Sequence, residues 1–122
     1  MPVPLDFDIV EREPGLPVGH ALTITGVVRE ARGIRITYQI QPPVPSRADR
    51  PHVEAQDDCG QGYRGLGQSV GLGRSRDRTI TLGSFVVPRP QPHASLLRVR
   101  MSWSAGAISL WERPAHELRI TL

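Results

Sequence analysis

Lysine is missing from this chain altogether, and all 15 basic residues are arginine. Against 12 acidic residues they leave a formal net charge of only +3, although the sequence pI is about 10.0. A charge of that size does not by itself point to nucleic acid, since arginine in place of lysine also follows from a GC-rich genome. How the arginines are distributed counts for more. Cysteine occurs once, as Cys59, which excludes an intrachain disulfide and a zinc centre built from this chain's cysteines. No apolar run approaches the ~20 residues of a membrane helix. Asp6, Asp8, Glu11 and Glu13 stand where a secretory signal would be basic and then apolar. The expectation is a soluble chain, cytoplasmic as given and without membrane contact; a domain cut from an exported parent would read the same way. Also lacking is any helical i, i+3, i+4, i+7 pattern of useful length.

Period-2 alternation is present almost throughout. The chain's 122 residues make one domain, 1–122, able to bury roughly 65% of the surface its unfolded form exposes. Leu5, Phe7 and Ile9 alternate with acids until Pro14-Gly15-Leu16-Pro17 ends the strand. Leu22, Ile24 and Val28 share a face of the second strand, in which Gly26 predicts a bulge. Arg32-Gly33 closes a tight turn into the clearest strand, with Ile34, Ile36, Tyr38 and Ile40 on one side. A proline-rich exit, 42–45, leads to a short strand at Val53 and Ala55 and then to the Asp57-Asp58-Cys59-Gly60 turn. Later strands carry Ile80 and Leu82, then Phe85 and Val87. The change of parity at Gly83-Ser84 predicts a bulge or a change of sheet. After a second proline-rich crossover come Leu97, Val99, Met101 and Trp103, with a hairpin centred on Ala105-Gly106. That hairpin would place Met101 opposite Leu110 and Trp111 opposite Arg100 on the outer face, as a cation–π pair. Leu118, Ile120 and Leu122 close the chain. The expected core is Leu22, Ile24, Ile36, Tyr38, Ile80, Leu97, Val99, Met101, Trp103 and Ile120.

Short strands joined by proline-rich crossovers predict an all-β fold, an immunoglobulin-like antiparallel β-sandwich of seven to nine strands. The run Val53-x-Ala55-x-Asp57-Asp58-x-Gly60-x-x-Tyr63, followed by Phe85-x-x-Pro88 and Leu97-x-Val99, resembles bacterial immunoglobulin-like domains of unassigned function. The resemblance covers the central half of the chain, with Cys59 where Leu is commoner, and implies a fold without implying a ligand or a catalytic residue.

The segment from Val53 to Arg78 breaks the alternation, because Gly60 to Gly73 holds six glycines and reads as a loop on a rigid scaffold. Several site motifs fall in or near it. Gly67-Gln68-Ser69-Val70-Gly71 has the spacing of a nucleophile elbow, with Asp77 and His93 or His116 following in order, but the helix that must come after it is not in the sequence. Gly60-Gln61-Gly62-Tyr63-Arg64-Gly65 is a formal dinucleotide fingerprint with the same deficiency. Asp57 and Asp58, with Asp6 and Asp8, offer calcium oxygens, yet adjacent acids in a turn ordinarily bond local backbone. His20, His52, His93 and His116 are scattered without metal-ligand spacing. No catalytic residue, metal or cofactor is assigned.

The reading these residues favour is a non-catalytic interaction module that meets a protein partner, or another copy of itself, through loops or an edge strand. Its expected contact residues are Tyr63, Arg64, Arg74, Arg76 and Arg78 on the glycine-rich segment. The alternative is polyanion or nucleic-acid binding through the Gly/Arg-rich loop 60–78, with Tyr63 stacking on a base. Against it, Asp57, Asp58 and Asp77 bracket the arginines. Carbohydrate binding on Trp111 and Tyr63 is a third.

Overall fold

The structure is a computed structural model and describes residues 2–44, 50–104 and 109–122. Ten strands form two five-stranded antiparallel sheets: β1 (Val3–Pro4), β2 (Phe7–Arg12), β3 (Ala21–Glu30), β4 (Gly33–Gln41), β5 (His52–Asp57), β6 (Gly62–Arg64), β7 (Leu66–Ser75), β8 (Arg78–Pro88), β9 (Leu96–Ser102) and β10 (His116–Thr121). The first sheet runs β1-β3-β4-β8-β7 and the second β2-β10-β9-β5-β6. Among the described residues the only helical element is a 3-10 turn at Leu110–Glu112, capped by the Ser109 hydroxyl, which accepts from the Trp111 amide.

The strands with the most regular alternation take the central places. In β4, Ile34, Ile36, Tyr38 and Ile40 are all at most 1% exposed, and in β9 Leu97, Val99 and Met101 are fully buried. Residues from both sheets join in one core cluster. Of the ten expected core residues, seven are buried. Leu22, Ile24 and Trp103 are half-buried and pack against that cluster, Trp103 with its ring edge-on to Tyr38 at 5.3 Å between centroids. The bulge expected at Gly26 is present: the β3–β4 register slips between Ile24 and Gly26, and the slip turns Val27 inward in place of Val28.

Three expectations differ from what is found. The β4–β8 ladder runs without a break from Gly33↔Pro88 to Ile40↔Thr81, so Gly83-Ser84 holds neither a bulge nor a change of sheet. The apolar pattern skips there because Gly83 faces inward under the Tyr38 ring, which occupies the space a Cβ would need. Met101 lies opposite His116 and Arg100 opposite Glu117; the proposed hairpin centre, Ala105-Gly106, falls outside the described residues. Gly60 to Gly73, expected as a loop, is largely strand. The count of ten rather than seven to nine follows from the two-residue β1 and from this segment, which divides into β6 and β7.

Candidate functional site

The segment that connects the sheets turns first at Asp57-Asp58, and hydrogen bonds occupy the oxygens of both carboxylates. Asp57 Oδ1 accepts from the Cys59 and Gln61 amides, each at 2.9 Å, and Oδ2 accepts from the Tyr63 hydroxyl at 2.6 Å. Asp58 accepts from the Ser95 amide and hydroxyl. The Tyr63 hydroxyl holds Asp57 below the usual carboxylate range against an opposing push from burial, with the two amides adding to the depression. The Ser95 hydroxyl does the same for Asp58. Desolvation and the two carboxylates push the Cys59 thiol up, so it stays protonated at neutral pH. These acids act as turn acceptors, and among the described residues no three metal-ligating side chains cluster.

Tyr63 is therefore committed to the scaffold. Its ring packs on the core, and its hydroxyl, besides donating to Asp57, accepts from the Gln91 amide at 3.0 Å. Burial and the Asp57 bond both raise its pKa. The chain then changes sheets at Gly65: β6 pairs with β5 in one sheet, and β7 pairs with β8 in the other. A Cβ at Gly65 would come within 2.8 Å of the Val53 Cβ, so the corner requires glycine.

Beyond the corner, β7 runs ten residues along β8 and ends in a two-residue turn, Arg76-Asp77, both with positive φ (51° and 67°). This turn groups Arg74, Arg76 and Arg78, all exposed, at one tip. Arg64 stands at the other end of β7, about 30 Å away at 3.3 Å per residue, beside Trp111 in a shallow cleft of about 240 Å³. The five expected contact residues thus separate into a tip of three arginines and a distant pair, Arg64 and the half-buried Tyr63, which line the same cleft. Ser69, of the elbow-like motif, sits within β7 opposite Ser84, with strand rather than helix after it.

β7 is also the outermost strand of its sheet, and among the described residues its only strand partner is β8. A two-residue hairpin turn closes on a pair that exchanges both backbone bonds; with Ser75 opposite Arg78, alternation assigns the next bonded positions to Gly73, Gly71 and Ser69. Val70, Leu72 and Arg74 therefore point their N–H and C=O groups away from β8. Leu72 is 69% exposed and Leu66 is 58% exposed.

A charged network that sequence reasoning missed lies on the outer face of the other sheet. The registers align Glu11, Glu117, Arg100, Glu54 and Arg64 in one row across five strands. Arg100 reaches Glu117 and the carbonyls of Leu110 and Arg113. Glu54 accepts from the Leu110 amide, and Glu11 accepts from the Ala115 amide. The segment 109–115 is thereby strapped to the sheet. Burial pushes the Glu117 carboxyl up, but the Arg98 and Arg100 bonds and charges outweigh it and the net shift is downward. Trp111 lies 4.9 Å from the Arg98 guanidinium and 5.5 Å from that of Arg100, so the cation–π contact exists although the register that suggested it does not. The missing signal was pairing: Arg98-x-Arg100 and Glu117-x-Arg119 look like separate solvated faces until β9 and β10 are put side by side.

Beneath this network, His116 faces inward with both ring nitrogens buried and, among the described residues, without a hydrogen-bond partner. Burial, reinforced by the Arg12 charge, lowers its pKa to about 4. The unfolded chain therefore takes up this proton near pH 6.5 while the folded one does not, so stability is complete above that value and falls with pH. The expected loss is about 2 kcal/mol by pH 5 and about 3 kcal/mol by pH 4. Urea denaturation between pH 7 and 4.5 should show it, and His116→Leu should flatten it; an unchanged slope in that variant would assign the effect elsewhere.

Searches of family models, of curated proteins and of solved structures find no match to this chain.

Proposed function

We propose that this chain is a non-catalytic interaction module of immunoglobulin-like architecture that takes an extended segment of a protein partner along the free edge of β7. The strand orders support the architecture. β3-β4-β8-β7 and β10-β9-β5-β6 correspond to the A-B-E-D and G-F-C-C′ orders of an immunoglobulin sandwich.

The observation that carries the binding reading is the contrast among the sheet edges. β1 has two residues, one of them Pro4. β6 has three. β2 carries Asp8, Glu11 and Arg12, and its register with β10 is interrupted. Each is a device that discourages strand addition. β7 has ten residues, no proline and no charge before Arg74. Its backbone would supply hydrogen bonds to an added strand, with Val70 and Leu72 offering apolar contacts.

Leu72→Pro tests this directly. Proline removes an outward N–H and spares the β8 ladder, so the thermal midpoint should hold while a partner captured from the native host by the wild-type domain is lost. Retention of that partner by the variant at native affinity would refute the reading. The clustering of Arg74, Arg76 and Arg78 at one tip favours polyanion binding as a second reading. It predicts that replacing those three by alanine, rather than Leu72→Pro, abolishes salt-dependent retention on heparin.

A further inference from the structure

At the opposite end of β8 from the arginine tip, two arginines occupy positions where the inward pattern calls for apolar residues. Arg29 follows the buried Val27 by two residues, and Arg89 follows the buried Val87 by two. Arg29, Ile34 and Val87 stand side by side on β3, β4 and β8. Here β3, β4 and the connection after β8 line a cavity of about 420 Å³, with Ile34, Pro90, Pro92 and Leu122 among its apolar lining and both arginines beside them.

The two arginines of this rim are not tied up in ion pairs among the described residues. Glu30 lines the cavity too, but its carboxylate accepts from Arg35 Nε at 2.8 Å. Arg89 uses one donor on the Ala31 carbonyl at 3.1 Å, which fixes the guanidinium and leaves its other donors free. The proline-bearing wall is held in place as well. Ser95 is bound twice to Asp58, the Gln91 amide donates to Tyr63, and Pro90 and Pro92 have fixed φ. A wall already ordered loses little freedom when a ligand arrives.

We propose that this cavity binds a small molecule with one carboxylate on an apolar body, the carboxylate meeting Arg29 and Arg89 and the body lying against Pro90, Pro92 and Leu122. The volume, the apolar lining and the few convergent polar groups are those of a small-molecule site, and paired guanidiniums match a carboxylate's geometry.

Titration of ¹⁵N-labelled protein with phenylacetate, followed by amide shifts, tests the proposal, with phenylacetamide and inorganic phosphate as comparators. Phenylacetate should move the Gly33, Ile34 and Ala94 resonances saturably. Phenylacetamide should bind about tenfold more weakly or worse, and so should phenylacetate to Arg29→Gln or Arg89→Gln. Both arginines are exposed, so these variants should keep every remote resonance in place. Three results would overturn the proposal: no saturable response, equal response to acid and amide, or native affinity in the double variant. If phosphate reproduces the phenylacetate shifts, the rim is a plain anion patch and the cavity is not a site.

Discussion

Arg100→Ala is expected to destabilise the fold by about 3–5 kcal/mol, the cost of breaking a buried ion pair. Arg100 is 7% exposed and Glu117 2%, so the carboxylate, left with Arg98 as its one cation, cannot make up the loss with water. The Leu110 and Arg113 carbonyls lose their donor in the same substitution, which releases the strap 109–115 from the sheet. Arg98→Ala provides the comparison. Its side chain is 42% exposed and bonds the same carboxylate, so its removal should cost about 1 kcal/mol or less. Replacing Arg100 by Met together with Glu117 by Leu should recover part of the loss, since a buried pair often exchanges for apolar residues at little cost. Recovery should be incomplete because the two carbonyls remain without a donor. Urea midpoints of the three variants against the wild type measure this, and equal losses for Arg98 and Arg100 would show that the strap is not held as described.

Gly33→Ala should cost about 2–6 kcal/mol, combining two terms. The residue sits at φ +151°, where an L side chain is strained by about 1–3 kcal/mol. Its Cβ would also run into the Val87 carbonyl oxygen, and crowding of that kind adds about 1–3 kcal/mol more. The obstacle is backbone of the neighbouring strand, which cannot rotate aside. Gly60→Ala separates the two terms: φ there is +88°, but nothing lies within 4 Å of the added carbon, so only about 1–2 kcal/mol of conformational strain is expected. Thermal unfolding of both variants decides the matter. Equal shifts would mean that β4 and β8 do not approach as closely as the register requires.

Much of the scaffold was legible from the sequence because side-chain period and burial are tied together in a strand. Ile34, Ile36, Tyr38 and Ile40 predicted the centre of one sheet; Leu97, Val99 and Met101 predicted the centre of the other. Alternation failed where the inward residue has no side chain, as at Gly83, whose missing Cβ reads as a shift of parity although the ladder is continuous. It failed again over Gly60 to Gly73. Glycine composition signals the conformational cost of ordering a segment, but not the hydrogen bonds to β8 that meet it. The candidate site was legible only in part. Arg74, Arg76 and Arg78 do come together, because Arg76-Asp77 is a hairpin turn. Tyr63 looked like an exposed recognition residue because the sequence does not reveal that Asp57 and Gln91 converge on its hydroxyl. The Arg100–Glu117 pair was invisible because its partners come from strands whose register depends on a long connection, 103–115, rather than on a tight turn.

Amide hydrogen exchange along β7, with and without a bound partner, addresses the edge most directly. In the free domain, Gly71 and Gly73 should be protected by β8, while Val70, Leu72 and Arg74 exchange fast, an alternation that itself checks the register. On binding, those three amides should become protected together, as an added strand would make them. If Val70, Leu72 and Arg74 stay fast while protection rises elsewhere on the surface, the partner does not add a strand to β7 and the free edge is not the binding site.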